Sequence, residues 1–141
     1  MATTTTQLEE KIIEALDSNQ VCSFATIEGN KPHVRYMALF HEGMTIYLAT
    51  NKQTHKIEEL ERNPNVHLLL GYEGSWSANF LQIEGIGRVS KDEALGKKVW
   101  KDDFKMWFDG SDDPNYVILE ITPQWIEYTG KGAKPEVWKK S

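Results

Sequence analysis

Basic and hydroxyl side chains are gathered between His33 and Lys56, among residues otherwise apolar enough to be core. Arg35 lies between Val34 and Tyr36 in a run that should be buried, and a guanidinium withdrawn from water is costly unless an anion or several acceptors meet it. Two kinds of partner fit: one of the chain's 21 acidic residues, in an internal salt bridge, or an external anion. Thr50 closes a later strand, and Thr54, His55 and Lys56 form the first turn of the helix that follows. There, unpaired N–H groups and the positive end of the helix dipole attract anions. Lysine is locally unfavourable at that end, so Lys56 makes better sense with an anion against it. A cation in a strand, a hydroxyl at a strand end and a hydroxyl–cation pair opening a helix together favour a phosphate site.

Other reactive residue types are less organised. His33, His41 and His67 fall on different strands or turns, lack ligand spacing and have no cysteines nearby, so no metal is expected. Cys22 is the only cysteine, which removes any intrachain disulfide or cysteine-based zinc site and leaves a catalytic thiol without supporting residues. Trp100, Phe104, Trp107 and Phe108 read as core or interface, with ligand cover as the rival reading; Trp125 and Tyr128 carry the same pair of readings.

These side chains need a scaffold, and the hydrophobic pattern supplies one. Thr6-Gln7-Leu8-Glu9 has capping-box spacing, and Leu8, Ile12, Ala15 and Leu16 follow at helical intervals. Val21–Ile27 and His33–Phe40 flank the turn residues Glu28-Gly29-Asn30 and read as a hairpin. After His41-Glu42-Gly43, Thr45–Ala49 gives a third strand, and a helix runs over about His55–Arg62 until Asn63-Pro64 stops it. Val66–Tyr72 and Asn79–Val89 are two further strands, joined by a loop with Gly74, Ser75 and Trp76. Gly85 and Gly87 share one face of the longer strand, as expected for a bend or a close approach by another backbone or a ligand. Ser90-Lys91-Asp92-Glu93 repeats the capping-box spacing and opens a short helix to about Trp100, and Tyr116–Thr122 and Trp125–Tyr128 are the last strands, broken at Pro123. Many short strands with tight turns, and no regular crossover helices, predict a mainly β (α+β) fold: an antiparallel barrel with about three peripheral helices.

The ordered set Arg35-Tyr-Met-Ala-Leu-Phe40, Tyr47-Leu-Ala-Thr50, Thr54-His-Lys56, Asn63-Pro64, and Gln82 ahead of Ile86-Gly87 resembles the pyridoxamine 5′-phosphate oxidase-like FMN-binding split barrels, especially their general-stress-protein-like short branch. The resemblance runs from about Leu8 to Tyr128. It implies an antiparallel split β-barrel with FMN at a homodimer interface. It also implies that Arg35, Thr50 and Lys56 hold the FMN phosphate, with Thr54 and His55 beside them. The main chain of Tyr36, Met37 and Ala38 would run along the isoalloxazine ring, and Gln82 would reach the flavin across the dimer. Two departures matter. His55 stands where the oxidases commonly carry a second basic residue, which weakens the phosphate grip. The C-terminal Arg-x-His segment of the true oxidases is missing, since the chain ends Tyr128-Thr-Gly-Lys-Gly-Ala-Lys-Pro-Glu-Val-Trp138 and onward, so the vitamin pocket is not expected.

Composition agrees with that class. The 141 residues suit one domain (1–141, core about 8–128), and a hydrophobic fraction of 40% is enough for a core without disulfides. No apolar run reaches the length of a bilayer span and no signal region opens the sequence, so a cytoplasmic protein without membrane contact is expected. The net charge of -5, with scattered basic residues, speaks against nucleic-acid binding, and the C-terminal lysines read as a solvated tail. The functional expectation is an FMN-dependent oxidoreductase with a small-molecule redox partner. No residue stands out as its acid or base. The rivals are a non-catalytic flavin carrier or stress-related sensor, or the same barrel binding F420 or haem.

Overall fold

The computed structural model describes residues 5–71, 79–90, 92–130 and 133–141. Its elements are α1 (Thr5–Asp17), β1 (Val21–Glu28), β2 (Lys31–Ala38), β3 (Phe40–Glu42), β4 (Thr45–Asn51), α2 (His55–Arg62), β5 (Asn65–Leu70), β6 (Phe80–Ser90), α3 (Glu93–Val99), a 3₁₀ turn at Asp102–Met106, β7 (Tyr116–Thr129) and β8 (Glu136–Lys139). The strands form one antiparallel sheet in the order β2-β1-β5-β6-β7-β4-β3, with β8 added alongside β7. The sheet is a half-barrel with three helices, the split-barrel architecture expected from the sequence.

Period-two alternation builds the interior. Cys22, Phe24 and Thr26 of β1, Ile46, Leu48 and Thr50 of β4, Val66, Leu68 and Leu70 of β5, and Leu81 and Ile83 of β6 all point inward. Leu8, Ile12, Ala15 and Leu16 place one stripe of α1 on this core. A second cluster gathers Leu95, Val99, Phe104, Phe108, Tyr116 and Ile118, so Phe104 and Phe108 are core, and Trp100 packs edge-on against Phe104 and Tyr116. Trp107, by contrast, is 66% exposed.

Several details differ from the sequence reading. β7 runs unbroken through Pro123, because its partner on one edge changes there: β4 pairs with Tyr116–Ile121 and β8 with Trp125–Tyr128, so the missing N–H falls between the two ladders. The C-terminal segment is therefore not a tail; Lys139 sits opposite Trp125, and the Lys140 N–H donates to the Gln124 carbonyl at 3.0 Å. Phe40 belongs to a separate short strand, β3, and not to the hairpin arm that ends at Ala38. The cap of α3 is Asp92, whose carboxylate accepts from the N–H groups of Ala94 and Leu95, while the Ser90 hydroxyl accepts from the Asp92 N–H. Lys91 and the loop containing Gly74, Ser75 and Trp76 lie outside the described residues, as does Tyr72, which was expected to end β5.

Candidate functional site

α2 owes its position to glycine. A Cβ on Gly87 would meet Leu60 Cδ2 of α2 and Ile121 Cδ1 of β7, each at 3.1 Å, and the Gly87 N–H donates to the Pro64 carbonyl at 2.8 Å. A Cβ on Gly85 would stand 2.8 Å from Ile121 Cγ2, beside a register shift between Glu84 and Gly85. The close approach expected on this face exists, but a Cβ would meet mainly side chains; it would meet another backbone only at Gly85, where the Thr122 carbonyl oxygen would stand 3.1 Å away. With Ile57 and Leu60 buried, α2 lies against the sheet and turns Glu59 toward the β1–β2 hairpin.

Glu59 is the centre of a polar network and only 4% exposed. One carboxylate oxygen accepts from the Thr26 hydroxyl in a short hydrogen bond and from Arg35 Nη2 at 3.3 Å; the other meets His33 Nδ1 at 2.9 Å. Arg35 Nη1 donates to Thr26 Oγ1 at 2.7 Å and to the His33 carbonyl at 3.2 Å, and the guanidinium stands 5.8 Å from the Phe24 ring centroid. The internal salt bridge weighed for Arg35 therefore exists. Burial by itself would raise the Glu59 carboxyl, but the hydrogen bonds from Thr26, His33 and Arg35 and the charge of Arg35 outweigh it and hold the group below its ordinary value.

Lys56 stands at the start of the same helix. Its ammonium donates to Thr54 Oγ1 at 3.1 Å, and Thr54 Oγ1 donates in turn to the Asn51 carbonyl at 2.9 Å. Thr54 is the N-cap, yet its side chain makes no capping bond to the helix. Burial, and next the nearby Arg35 guanidinium, push the Lys56 ammonium below the usual lysine value, with Glu59 pulling the other way. Two cations thus share one carboxylate at this end of the barrel. Such an arrangement is relieved by an added anion.

The predicted residues divide into two groups. Arg35, Thr54 and Lys56 come together, and Thr50 is buried at the end of β4, one residue before Asn51. His55 is exposed beside them. Tyr36 and Gln82 belong instead to the outer sheet face, where the register aligns Tyr36 with Ser23, Ser23 with Leu69, and Leu69 with Gln82. An open cleft of about 1050 Å³ on that face is lined by Tyr36, Ser23, Leu69, Phe80 and Gln82, among others. Tyr36 is 81% and Val34 69% exposed. The two groups meet along β2, which is the edge of the sheet and among the described residues pairs with β1 alone, so the main chain of Tyr36, Met37 and Ala38 borders an open side. The Met37 side chain itself turns inward onto the core.

Glu59, Thr26 and the role of His33 escaped the sequence reading. Glu59 lies between Glu58 and Glu61, and only the burial of Ile57 and Leu60 marks its stretch of helix as inward-facing. Glu28, His33 and Glu59 also bring three ligand atoms within 4.8 Å, a grouping that could hold a metal ion. Glu59 already serves three donors, and the Arg35 cation on its oxygens opposes a second positive charge there. His41 pairs with Asp17 at 2.6 Å, and the described residues place no common ligand set around it and His67. Cys22 is buried, and burial pushes its thiol up to about 12, so it stays protonated near neutral pH. Tyr128 packs against the main core, with Lys11 Nζ 5.9 Å from its ring centroid.

The sequence profile described as pyridoxamine 5′-phosphate oxidase matches residues 8–130. General stress protein 26 of Bacillus subtilis (strain 168) is 46% identical over 132 residues, covering 92% of this chain and 94% of that protein. The crystal structure of General Stress Protein 26 from Bacillus anthracis superposes with a TM-score of 0.85 at 34% identity, over 94% of this chain and 98% of the other. A general stress FMN/FAD binding protein from Xanthomonas citri shares the fold, with a TM-score of 0.72 at 23% identity, over 96% of this chain and 91% of the other.

Proposed function

The chain belongs to the pyridoxamine 5′-phosphate oxidase family, and we propose that it is a cytoplasmic FMN-dependent oxidoreductase whose cofactor site is completed across a homodimer. The observation that carries this reading is that Arg35, which meets Glu59 at 3.3 Å, and Lys56, one turn before Glu59 on α2, lie at the same end of the barrel, with β2 at the edge of the sheet. A phosphate held beside Arg35 and Lys56 would meet two cations that Glu59 only half neutralises, with the uncapped first turn of α2 next to it. The neighbouring main chain of Tyr36 to Ala38 then supplies hydrogen-bonding groups at the edge of a flat ring. FMN, when bound, supplies the electron-transfer chemistry. The protein's part is to grip the phosphate through Lys56 and Arg35, hold the ring against β2 and keep water from it.

The outer face supports the dimer. Val21, Val34, Tyr36 and Leu69 are large exposed apolar side chains, and Gln82 shares their face, away from the Lys56 end of its own subunit. An isologous contact of such faces covers the apolar surface and brings each Gln82 toward the partner's flavin. Among the described residues lining the cleft there is no histidine, the common axial ligand of haem, which favours flavin over haem as its occupant.

An absorption spectrum of the purified protein tests the cofactor: flavin bands support the reading, and a Soret band or a deazaflavin spectrum overturns it. Reduction of the bound flavin by NADH or NADPH, followed by reoxidation, supports an oxidoreductase. Stoichiometric FMN binding without reduction by any donor leaves the carrier or sensor as the function.

A further inference from the structure

Glu59 lies on α2 one turn beyond Lys56 and takes hydrogen bonds from Arg35, Thr26 and His33 while almost fully buried. The same carboxylate therefore touches one cation of the proposed phosphate site and acts electrostatically on the other, since it favours the charged form of Lys56 against burial and Arg35. We infer that Glu59 is an internal stand-in for the phosphate: it holds Arg35 and α2 in place when no anion is bound, and its negative charge limits how tightly an anion is then held. This inference rests on reading the Lys56 end as the FMN phosphate site.

The physical argument separates geometry from charge. An anion entering beside Arg35 and Lys56 is attracted by two cations and repelled most strongly by the buried carboxylate of Glu59, which it cannot displace because Glu59 is anchored by Thr26 and His33 as well as by Arg35; the neighbouring Glu28 is exposed and screened. Glutamine at this position keeps an oxygen to accept from Arg35 and Thr26 but removes the charge. The apo-protein then keeps the more exposed Glu28 as a nearby carboxylate but loses the buried one beside the two cations and becomes less stable, while the phosphate loses its buried repulsive neighbour. Unit charges a few ångströms apart in partly buried protein correspond to a change of about tenfold or more in affinity. A purely structural glutamate predicts the opposite: weaker binding of every ligand once its helix loosens.

The experiment compares FMN and riboflavin binding to wild type, E59Q, E59D and K56A by quenching of flavin fluorescence, with all proteins prepared in excess FMN and then stripped. E59Q should bind FMN about tenfold tighter or better with riboflavin unchanged, and E59D, which keeps the charge, should retain the wild-type ratio of the two affinities. Where E59Q survives only in its loaded form, FMN release on dilution is measured instead, and it should be slower than from wild type. FMN affinity unchanged or weakened in E59Q, or tightened equally in E59D, overturns the inference while a selective loss of FMN in K56A leaves the phosphate site standing. If K56A weakens FMN and riboflavin alike, the phosphate site itself is misplaced and the inference falls with it.

Discussion

Arg35→Ala separates the structural role of this residue from its role toward a ligand. The substitution removes the 3.3 Å charge-assisted bond to Glu59 and the 2.7 Å bond to Thr26, leaving a carboxylate that is 4% exposed with only Thr26 and His33 as donors. A hydrogen bond to a charged group contributes about 1.5 to 3 kcal/mol, and breaking a fully buried ion pair costs about 3 to 5. The Arg35 side chain is 26% exposed, so water reaches the gap it leaves, and the lower range applies. We expect apo-protein stability at pH 7 to fall by about 2 to 3 kcal/mol. The loss has a pH signature. Glu59 is held below its ordinary value of 4.5 in the folded chain, so its contribution is fully present above that pH and is lost as pH falls through the folded value. Without Arg35 less of that contribution exists to be lost, so the gap between wild type and variant should close as the solution is acidified below about pH 4.5. Urea unfolding of stripped protein at pH 7 and pH 4, at one protomer concentration, measures both quantities. A loss under about 0.5 kcal/mol at pH 7, or a gap that does not narrow in acid, would refute the description of Arg35 and Glu59 as a buried pair.

Lys56→Ala should weaken FMN by about 10- to 150-fold with riboflavin nearly unchanged and little shift in apo-protein melting, read by fluorescence titration and thermal scans, because its partners are at the surface end of α2. The native protein should scatter light as about twice 16.2 kDa, and Tyr36→Asp, at a position that is exposed within one protomer, should yield a folded monomer with weakened FMN binding in the same instrument. Gly85→Ala should lose about 1 to 3 kcal/mol in urea unfolding, since its new methyl group would meet Ile121 Cγ2 and the Thr122 carbonyl at the bulge of β6; an unchanged midpoint would mean that the sheet relaxes freely there.

Local rules carried the sequence reading a long way. Strand-forming runs on both sides of the turn residues Glu28-Gly29-Asn30 locate the β1–β2 hairpin, in which Gly29 adopts a φ of 64°, and Asn63-Pro64 sets the end of α2. What stayed hidden depends on distant partners. Pro123 reads as a break because the sequence does not say that the neighbour on one edge changes from β4 to β8 at that point. Glu136–Lys139 becomes a strand only because the far half of β7 offers it an edge; its own residues spell a charged tail. The site shows the same limit. The need of Arg35 for an acceptor follows from a run that reads as buried, whereas Val34 and Tyr36 are exposed on the outer face of edge strand β2 and of the three only Arg35 turns inward. Nothing along the chain distinguishes Glu59 from the other acids until α2 is laid across Gly87.

The pairing of β8 also joins distant parts of the chain. Lys11 of α1 meets Glu136 at 3.5 Å, and the Trp138 indole donates to Glu9 at 3.3 Å, contacts spanning 125 and 129 positions. Closing so large a loop is entropically far costlier than forming the adjacent β1–β2 hairpin, so these contacts have little reason to form until the sheet between them exists. The α1–β8 contacts are therefore expected to form after the sheet, while α1 itself stays anchored by Ile12 and Leu16 in the main core and β8, a strand of 4 residues with none fully buried, has less to hold it. In hydrogen exchange the β8 amides should open ahead of the β6–β7 ladder, and conditions that release β8 should free Lys11 and Glu9 before the Glu59 network is disturbed.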